Sequence, residues 1–426
     1  MFMSACLYDC AFMSQKPYDL LLRECRLLTG EVVDIAIKDG WIAAIAPQLG
    51  EPADMEISVG GKLASPPFVE SHIHLDSALS AGEPRLNASG TLFEGIEIWA
   101  ERKQSLSLTD VKKRAIETLK LQASQGVLFV RTHADVSESS LTALQGLLEV
   151  REEVKDWISV QVVAFPQDGI YGKPENEALL EKALEMGADA VGGIPHYEFT
   201  REDGVRSVHR IFELAEKYDR LIDIHCDEID DEQSRFLEVV AAGAIRTGMG
   251  ARVTASHTTA FGSYNSAYAY KLMGLLERSQ INFIANPLIN ITLQGRTDTY
   301  PKRRGVTRVK ELWQRGLNVS LGHDCVRDPW YSLGTGNMLD VAYMAVHVCQ
   351  MTGVAEIDAC YDMVTSHGAR TLQLENYGIE VGKPASLIVL DAESRYDAIR
   401  RRPTVVYVIS RGKLLVETEV PVTKWR

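Results

Sequence analysis

A chain of 426 residues that is 46% hydrophobic and 24% charged has the balance of an ordinary globular protein, and none of its apolar runs is long enough to cross a bilayer. Its formal net charge of -13 is spread along the chain, which disfavours a nucleic-acid partner and favours a small-molecule substrate. Seven cysteines without a C-x-x-C pair indicate neither a disulfide framework nor a zinc knuckle, so thiols buried as small core residues in a reducing cytoplasm are expected.

Met1–Ser14 has no basic leading region and its apolar character is broken by Asp9, so it does not read as a signal peptide. From Tyr18 to Ala46 apolar and polar residues alternate, with turn signals at Thr29-Gly30 and Asp39-Gly40, which predicts a small β meander. The middle of the chain changes character. Eight short apolar runs, "PPFVESHIH", "GVLFVRTHADV", "ISVQVVAFPQ", "AVGGIPHYE", "LIDIHCDE", "RVTASHTT", "INFIANP" and "LNVSLGHDC", are separated by amphipathic stretches such as 108–125 and 176–186. Eight strand–helix units predict an α/β chain with a TIM-type (β/α)8 barrel, a doubly wound sheet being the alternative with similar local signals. Near the end, "ASLIVLDAE" and "TVVYVISRGKLL" return to β character around the turn Arg411-Gly412, and the two chain ends are expected to build one β domain.

Barrel active sites form at the C-terminal ends of the strands, and the polar residues ending these runs are a distinctive set. The first run ends in His72 and His74, the third in Gln167, the fifth in His225 with Glu228, the sixth in His257 and the eighth in Asp324. Residues i and i+2 share a strand face, so His72 and His74 can face one centre. Imidazoles with a carboxylate suit one divalent ion, Zn2+ or Fe2+, with a position left for water. A lone His-x-His is more often just a pair of strand histidines. His225, His257 and Asp324 at the ends of three other predicted strands reverse those odds, because packing gives no reason for such a convergence. Glu228 sits in the acidic run "DEIDDEQ", and such runs are usually solvated. Its closeness to His225 makes it the exception, with Asp227, Asp230, Asp231 and Glu232 left to solvent or structural roles. His133 and His196 also end strands, where hydrogen bonding to the site is expected rather than ligation. His323 should face away from Asp324 on its strand, His209 and His347 belong to helices, and "PKRRG" reads as a loop with structural ion pairs.

In order, "PPFVESHIHLD", "TLFEGIE", "AFPQ", "IDIHCDEIDDEQSRF", "ARVTASHTT", "NPLIN", "GRTDTYPKRRG" and "GHD" followed by "DPWY" closely resemble the motifs of the bacterial cytosine deaminases of the amidohydrolase superfamily. The resemblance implies a distorted (β/α)8 barrel at 65–376, beside a small β-sandwich built from 1–64 and 377–426. It implies that His72, His74, His225 and Asp324 hold a single metal, that Glu228 and His257 flank its water, and that Asp324 takes a proton from that water. It implies further that Gln167 reads the pyrimidine edge, that the backbone near Leu92 accepts a ring N–H, and that Trp330 walls the pocket. Water would then attack C4 of a free base, and a homo-oligomer is implied. One residue departs from the pattern: Cys325 stands where these enzymes carry a second aspartate after the ligand. A smaller, uncharged side chain there favours a ring with an apolar substituent, which makes 5-methylcytosine the preferred substrate, with cytosine or isoguanine as alternatives. A dihydroorotase-like cyclic-amide hydrolase is disfavoured because "ADAVGGIPHYE" offers no lysine to carboxylate, and a non-catalytic barrel because the reactive residues are intact. The zinc cytidine deaminases are excluded by the missing H-x-E and P-C-x-x-C signature.

Overall fold

The computed structural model describes residues 16–425, so the expectation for Met1–Ser14 lies outside the described residues. The alternating segment forms β1 (Tyr18–Arg26), β2 (Val32–Lys38) and β3 (Trp41–Ala46), followed by β4 (Ala53–Ser58) and β5 (Leu63–Ser65). Asp39 and Gly40 both take positive φ, 51° and 84°, the two-residue turn whose twist matches that of a β hairpin.

Each of the eight apolar runs becomes one barrel strand: β6 (Phe68–Ile73), β7 (Val127–Asp135), β8 (Ser159–Phe165), β9 (Ala190–Gly193), β10 (Leu221–Cys226), β11 (Val253–His257), β12 (Asn282–Ala285) and β13 (Val319–Leu321). All are parallel and neighbours in sequence are neighbours in space. Both faces are covered, which is why the runs read as apolar without alternation. The barrel closes through one bridge between Ile73 and Asp324. There Asp324 N–H donates to the His72 carbonyl at 2.8 Å and His74 N–H to the Asp324 carbonyl at 3.1 Å. The seam therefore lies at three of the residues singled out as ligands.

The crossovers are helical: α1 (Leu92–Lys103) and α2 (Leu108–Ser124) precede β7, and α3 (Thr142–Val154), α4 (Asn176–Glu185), α5 (Arg201–Tyr218), α6 (Phe236–Thr247), α7 (Ser266–Ser279) and α8 (Pro287–Leu293) follow in turn. The sequence of α5 shows why. Thr200 caps it by accepting from Asp203 N–H, and Val208, Ile211, Phe212 and Ala215 recur at helical spacing on the buried face.

After the barrel come β14 (Leu387–Leu390), β15 (Val405–Ser410) and β16 (Lys413–Glu417). They join the N-terminal strands in one sheet of order β16-β15-β14-β5-β1-β2-β3, with β4 branching from β1. The ends meet where β14 runs antiparallel to β5, Ile388 opposite Ser65. One face of this sheet, including Leu63, Ile388, Leu390 and Val408, merges with the barrel core, while Leu20, Leu22, Ile35 and Leu387 form a second cluster. Among the described residues no helix is long and apolar enough to cross a membrane.

Candidate active site

Below its mouth the barrel is polar where many such barrels hold branched aliphatic layers. His72, His133 and Ser256 are fully or almost fully buried there, and the rings of His72, His74, His133 and His225 pack with centroids 4.1 to 5.5 Å apart. His74 Nε2 and His225 Nε2 are 3.1 Å apart, and Asp324 Oδ1 lies 3.7 Å from His72 Nε2 and 3.6 Å from His74 Nε2. Burial first, then the neighbouring imidazoles, hold His72, His74 and His225 well below the usual histidine range, so their neutral forms prevail.

These residues fit a divalent ion. Two neutral imidazoles bring their Nε2 atoms within 3.1 Å of each other, and His72 Nε2 is buried without a hydrogen-bond partner. Nitrogen and oxygen ligands about 2.1 Å from a tetrahedral ion are spaced about 3.4 Å apart, close to these separations.

His257 Nε2 lies 3.7 Å from Asp324 Oδ2, and its Nδ1 is 3.1 Å from Glu228 Oε1. The amide groups of Asn290 and Asn286 approach Nδ1 at 3.0 and 3.3 Å and fix the ring. Burial raises Glu228 to about 8, and burial together with the Glu228 charge raises Asp324. Two carboxyl groups in one dry site make a proton on Glu228 favourable at neutral pH. His257 and Asp324 both adopt positive φ, 65° and 66°, an uncommon backbone state that turns the chain sharply as it leaves β11 and β13.

Above the cluster opens a cavity of about 320 Å³. Gln167, Leu92, Trp330 and Cys325 all line it, with Ile289 and Leu293. Leu92 opens α1, and the side chains of Leu92, Ile289, Leu293, Cys325 and Trp330 form one apolar cluster, so the wall at Cys325 is greasy. His196 lines the cavity as well, and so does Ile229, which was not singled out from the sequence. The motif "NPLIN" carried a usable signal, because asparagines at i and i+4 on a short helix share a face; here that face holds His257.

Several sequence expectations are corrected. His133 meets the cluster by ring packing; neither ring nitrogen is hydrogen-bonded, and Nε2 approaches Asp223 Oδ1 only at 3.7 Å. His196 lies in a 3-10 turn, Pro195–Tyr197, beyond β9 rather than on the strand, because Pro195 ends the ladder. His323 lies past β13 and not on it. Its Nδ1–H donates to the Cys325 carbonyl at 2.9 Å and its Nε2 accepts from Gly336 N–H at 3.2 Å, so it supports the turn that carries Cys325. The acidic run divides sharply. Asp227 accepts from Phe236 and Leu237 N–H and caps α6, Glu228 turns into the site, and Asp231 and Glu232 are exposed.

An eight-stranded parallel barrel whose strand ends bring histidines and carboxylates into one buried cluster under an apolar pocket defines a hydrolase of the metal-dependent barrel class. The chain belongs to the amidohydrolase family, whose model matches residues 56–416. It is 33% identical over 413 residues to N-isopropylammelide isopropyl amidohydrolase from Pseudomonas sp. (strain ADP), covering 95% of this chain and 99% of that protein. Its fold is similar to 5-methylcytosine deaminase from Klebsiella pneumoniae liganded with 5-fluorocytosine, with a TM-score of 0.93, 50% identity, and 95% and 99% of the two chains covered. The same enzyme liganded with phosphonocytosine matches with a TM-score of 0.92 and 50% identity, over 95% and 100% of the two chains.

Proposed function

We propose that this chain hydrolytically deaminates a free pyrimidine base, with 5-methylcytosine preferred, giving thymine and ammonia. The observation that carries this reading is the union, in one pocket, of the histidine–carboxylate cluster with an apolar wall at Cys325. The 50% identity to a 5-methylcytosine deaminase supports it. His72, His74, His225 and Asp324 would hold one Zn2+ or Fe2+. Such an ion, when bound, makes water acidic enough to serve as a nucleophile near neutral pH.

The remaining chemistry falls to the chain. Water adds its oxygen to C4, and its two protons end on ring N3 and on the departing amine. Glu228, protonated at neutral pH and within reach of His257, is the group to carry them. Asp324 accepts a proton from water, and His257, braced by Asn286 and Asn290, orients it. Gln167 reads the ring edge, the backbone at Leu92 accepts a ring N–H, and Trp330 covers the ring. A methyl at C5 against the Cys325 wall contributes about 0.8 kcal/mol by burial, and the absence of a carboxylate there removes a desolvation cost.

On this reading 65–376 is the catalytic unit and 1–64 with 377–426 the appended domain. The protein works as a homo-oligomer in pyrimidine salvage in a reducing cytoplasm, which suits the free thiols of Cys25, Cys226, Cys325, Cys349 and Cys360. Ammonia release from 5-methylcytosine, cytosine and isoguanine, measured beside the ring opening of dihydroorotate to its carbamoyl acid, tests the proposal. The methylated base should give the highest kcat/KM, and turnover of dihydroorotate alone would overturn it.

A further inference from the structure

Beneath the histidine cluster lies a hydrogen-bonded column that none of the roles above uses. Arg131 on β7 is 1% exposed, yet all five of its N–H groups have acceptors. Nη1 donates to Asp223 Oδ2 at 3.0 Å and to Thr254 Oγ1 at 3.3 Å. Nε and Nη2 donate to Gln161 Oε1 at 3.1 and 3.0 Å, and Nη2 also to the Thr371 carbonyl at 3.0 Å. Asp223 and His225 are two apart on β10 and share its inner face, and the register pairs His225 with Ser256 on β11. The column therefore ends one layer below the cluster. Ser256 Oγ is 2.6 Å from Asp223 Oδ1 and 3.2 Å from His72 Nδ1.

The hydroxyl of Ser256 has one proton. Asp223, paired with the buried guanidinium, is a carboxylate and can only accept, so that proton is committed to Asp223 at a charge-assisted distance. The oxygen of Ser256 then has only a lone pair to offer His72, and Nδ1 must carry the ring proton. The other nitrogen, Nε2, is left with its lone pair and faces Asp324 and the neighbouring imidazoles. His225 Nδ1, by contrast, has no hydrogen-bond partner.

We propose that Ser256 and Asp223, anchored by Arg131, are positioning residues that lock His72 in the Nδ1–H tautomer and hold its Nε2 ready as a ligand. The metal half of this inference rests on the proposed role of His72, whereas the tautomer half does not. Groups that orient a ligating histidine in this way are worth 10- to 100-fold in metal affinity.

Nitrogen-15 chemical shifts of the His72 ring, recorded on the metal-free protein, test the lock without reference to any metal. They should report protonated Nδ1 and unprotonated Nε2, and the reverse would overturn the proposal. Zn2+ affinity, measured by competition with a chromophoric chelator, tests its consequence. Ser256→Ala should weaken binding 10- to 100-fold while the thermal midpoint of the metal-free protein stays within a few degrees, and Ser256→Thr should recover most of the loss. Equal affinity in wild type and Ser256→Ala would overturn the inference. If the alanine variant does not fold, the wild-type tautomer decides. If wild type binds no Zn2+, the proposed metal site fails, and the tautomer still decides whether the lock exists.

Discussion

Gly95 sets the position of Trp330, and adding one methyl group there should reshape the pocket without touching the reactive cluster. Gly95 is a buried residue in the first turns of α1, and a Cβ on it would fall 2.3 Å from Trp330 Cδ1 and 2.6 Å from Nε1. Carbon atoms at rest sit about 3.5–4.0 Å apart, so ring and helix must separate by roughly 1.2 Å or more. Retreat along the helix is blocked by Trp99, one turn on, whose centroid is 6.3 Å from that of Trp330 and whose indole N–H is held by Asp135 at 3.0 Å. The ring is driven instead towards Leu92, Leu293 and Cys325. Overpacking of this kind costs about 1–3 kcal/mol, partly offset by about 1 kcal/mol of helix propensity on replacing glycine. Gly95→Ala should thus lower the thermal midpoint by only a few degrees. A displacement of about 1 Å at a substrate-positioning wall can cost up to about 10²-fold, so kcat/KM for 5-methylcytosine should fall roughly 10- to 100-fold at unchanged metal content. Adding Trp330→Leu relieves the clash, and the two changes should be strongly non-additive in stability. Wild-type kcat/KM in Gly95→Ala would refute the placement of Trp330 as the wall.

Four other outcomes follow from the site. Chelation should abolish turnover and Zn2+ or Fe2+ restore it; full activity in protein shown by elemental analysis to lack metal would exclude the centre. Glu228→Gln keeps the shape but cannot shuttle a proton, so kcat should fall at least about 10²-fold with metal content intact, and normal turnover would return Glu228 to a structural role. Cys325→Asp adds a buried carboxylate to the apolar wall and should move the ratio of kcat/KM values about tenfold or more towards cytosine; equal ratios in variant and wild type would show that Cys325 does not select the base. Asp328 is buried, accepts from Trp330 and Tyr331 N–H, and is raised by burial from 3.8 to about 6. The folded state therefore holds a proton that the unfolded chain loses, a stabilisation complete below pH 3.8 and lost as pH rises through about 6. Urea unfolding at pH 4.5 and 7 should show wild type losing about 2 kcal/mol relative to Asp328→Asn, and a pH-independent difference would contradict the shift.

The barrel was legible because strands covered on both faces leave continuous apolar runs, and each run ends where its strand does. "LIDIHCDE" illustrates it: the apolar stretch, the histidine at its end and the glutamate beyond it are a strand, a cluster member and a group turned into the site. What local pattern could not reveal depends on register between strands or on single backbone angles. Asp223 looks like an ordinary polar residue within an apolar run, and only the pairing of β10 with β11 brings it under Ser256 and His72. β13 ends at Leu321, which leaves His323 off the strand, and Asp324 beyond it takes a left-handed φ of 66°. Gly95 reads as a weak point in a helix until Trp330, 235 positions away, is laid on it.

Hydrolytic deamination is tested most directly by following the oxygen. Metal-replete protein incubated with 5-methylcytosine in water enriched in oxygen-18 should yield thymine carrying one heavy oxygen at C4, with one ammonia released per thymine formed. Recovery of unchanged 5-methylcytosine and cytosine from protein shown to contain stoichiometric metal, with no ammonia released, would contradict the function proposed for this pocket.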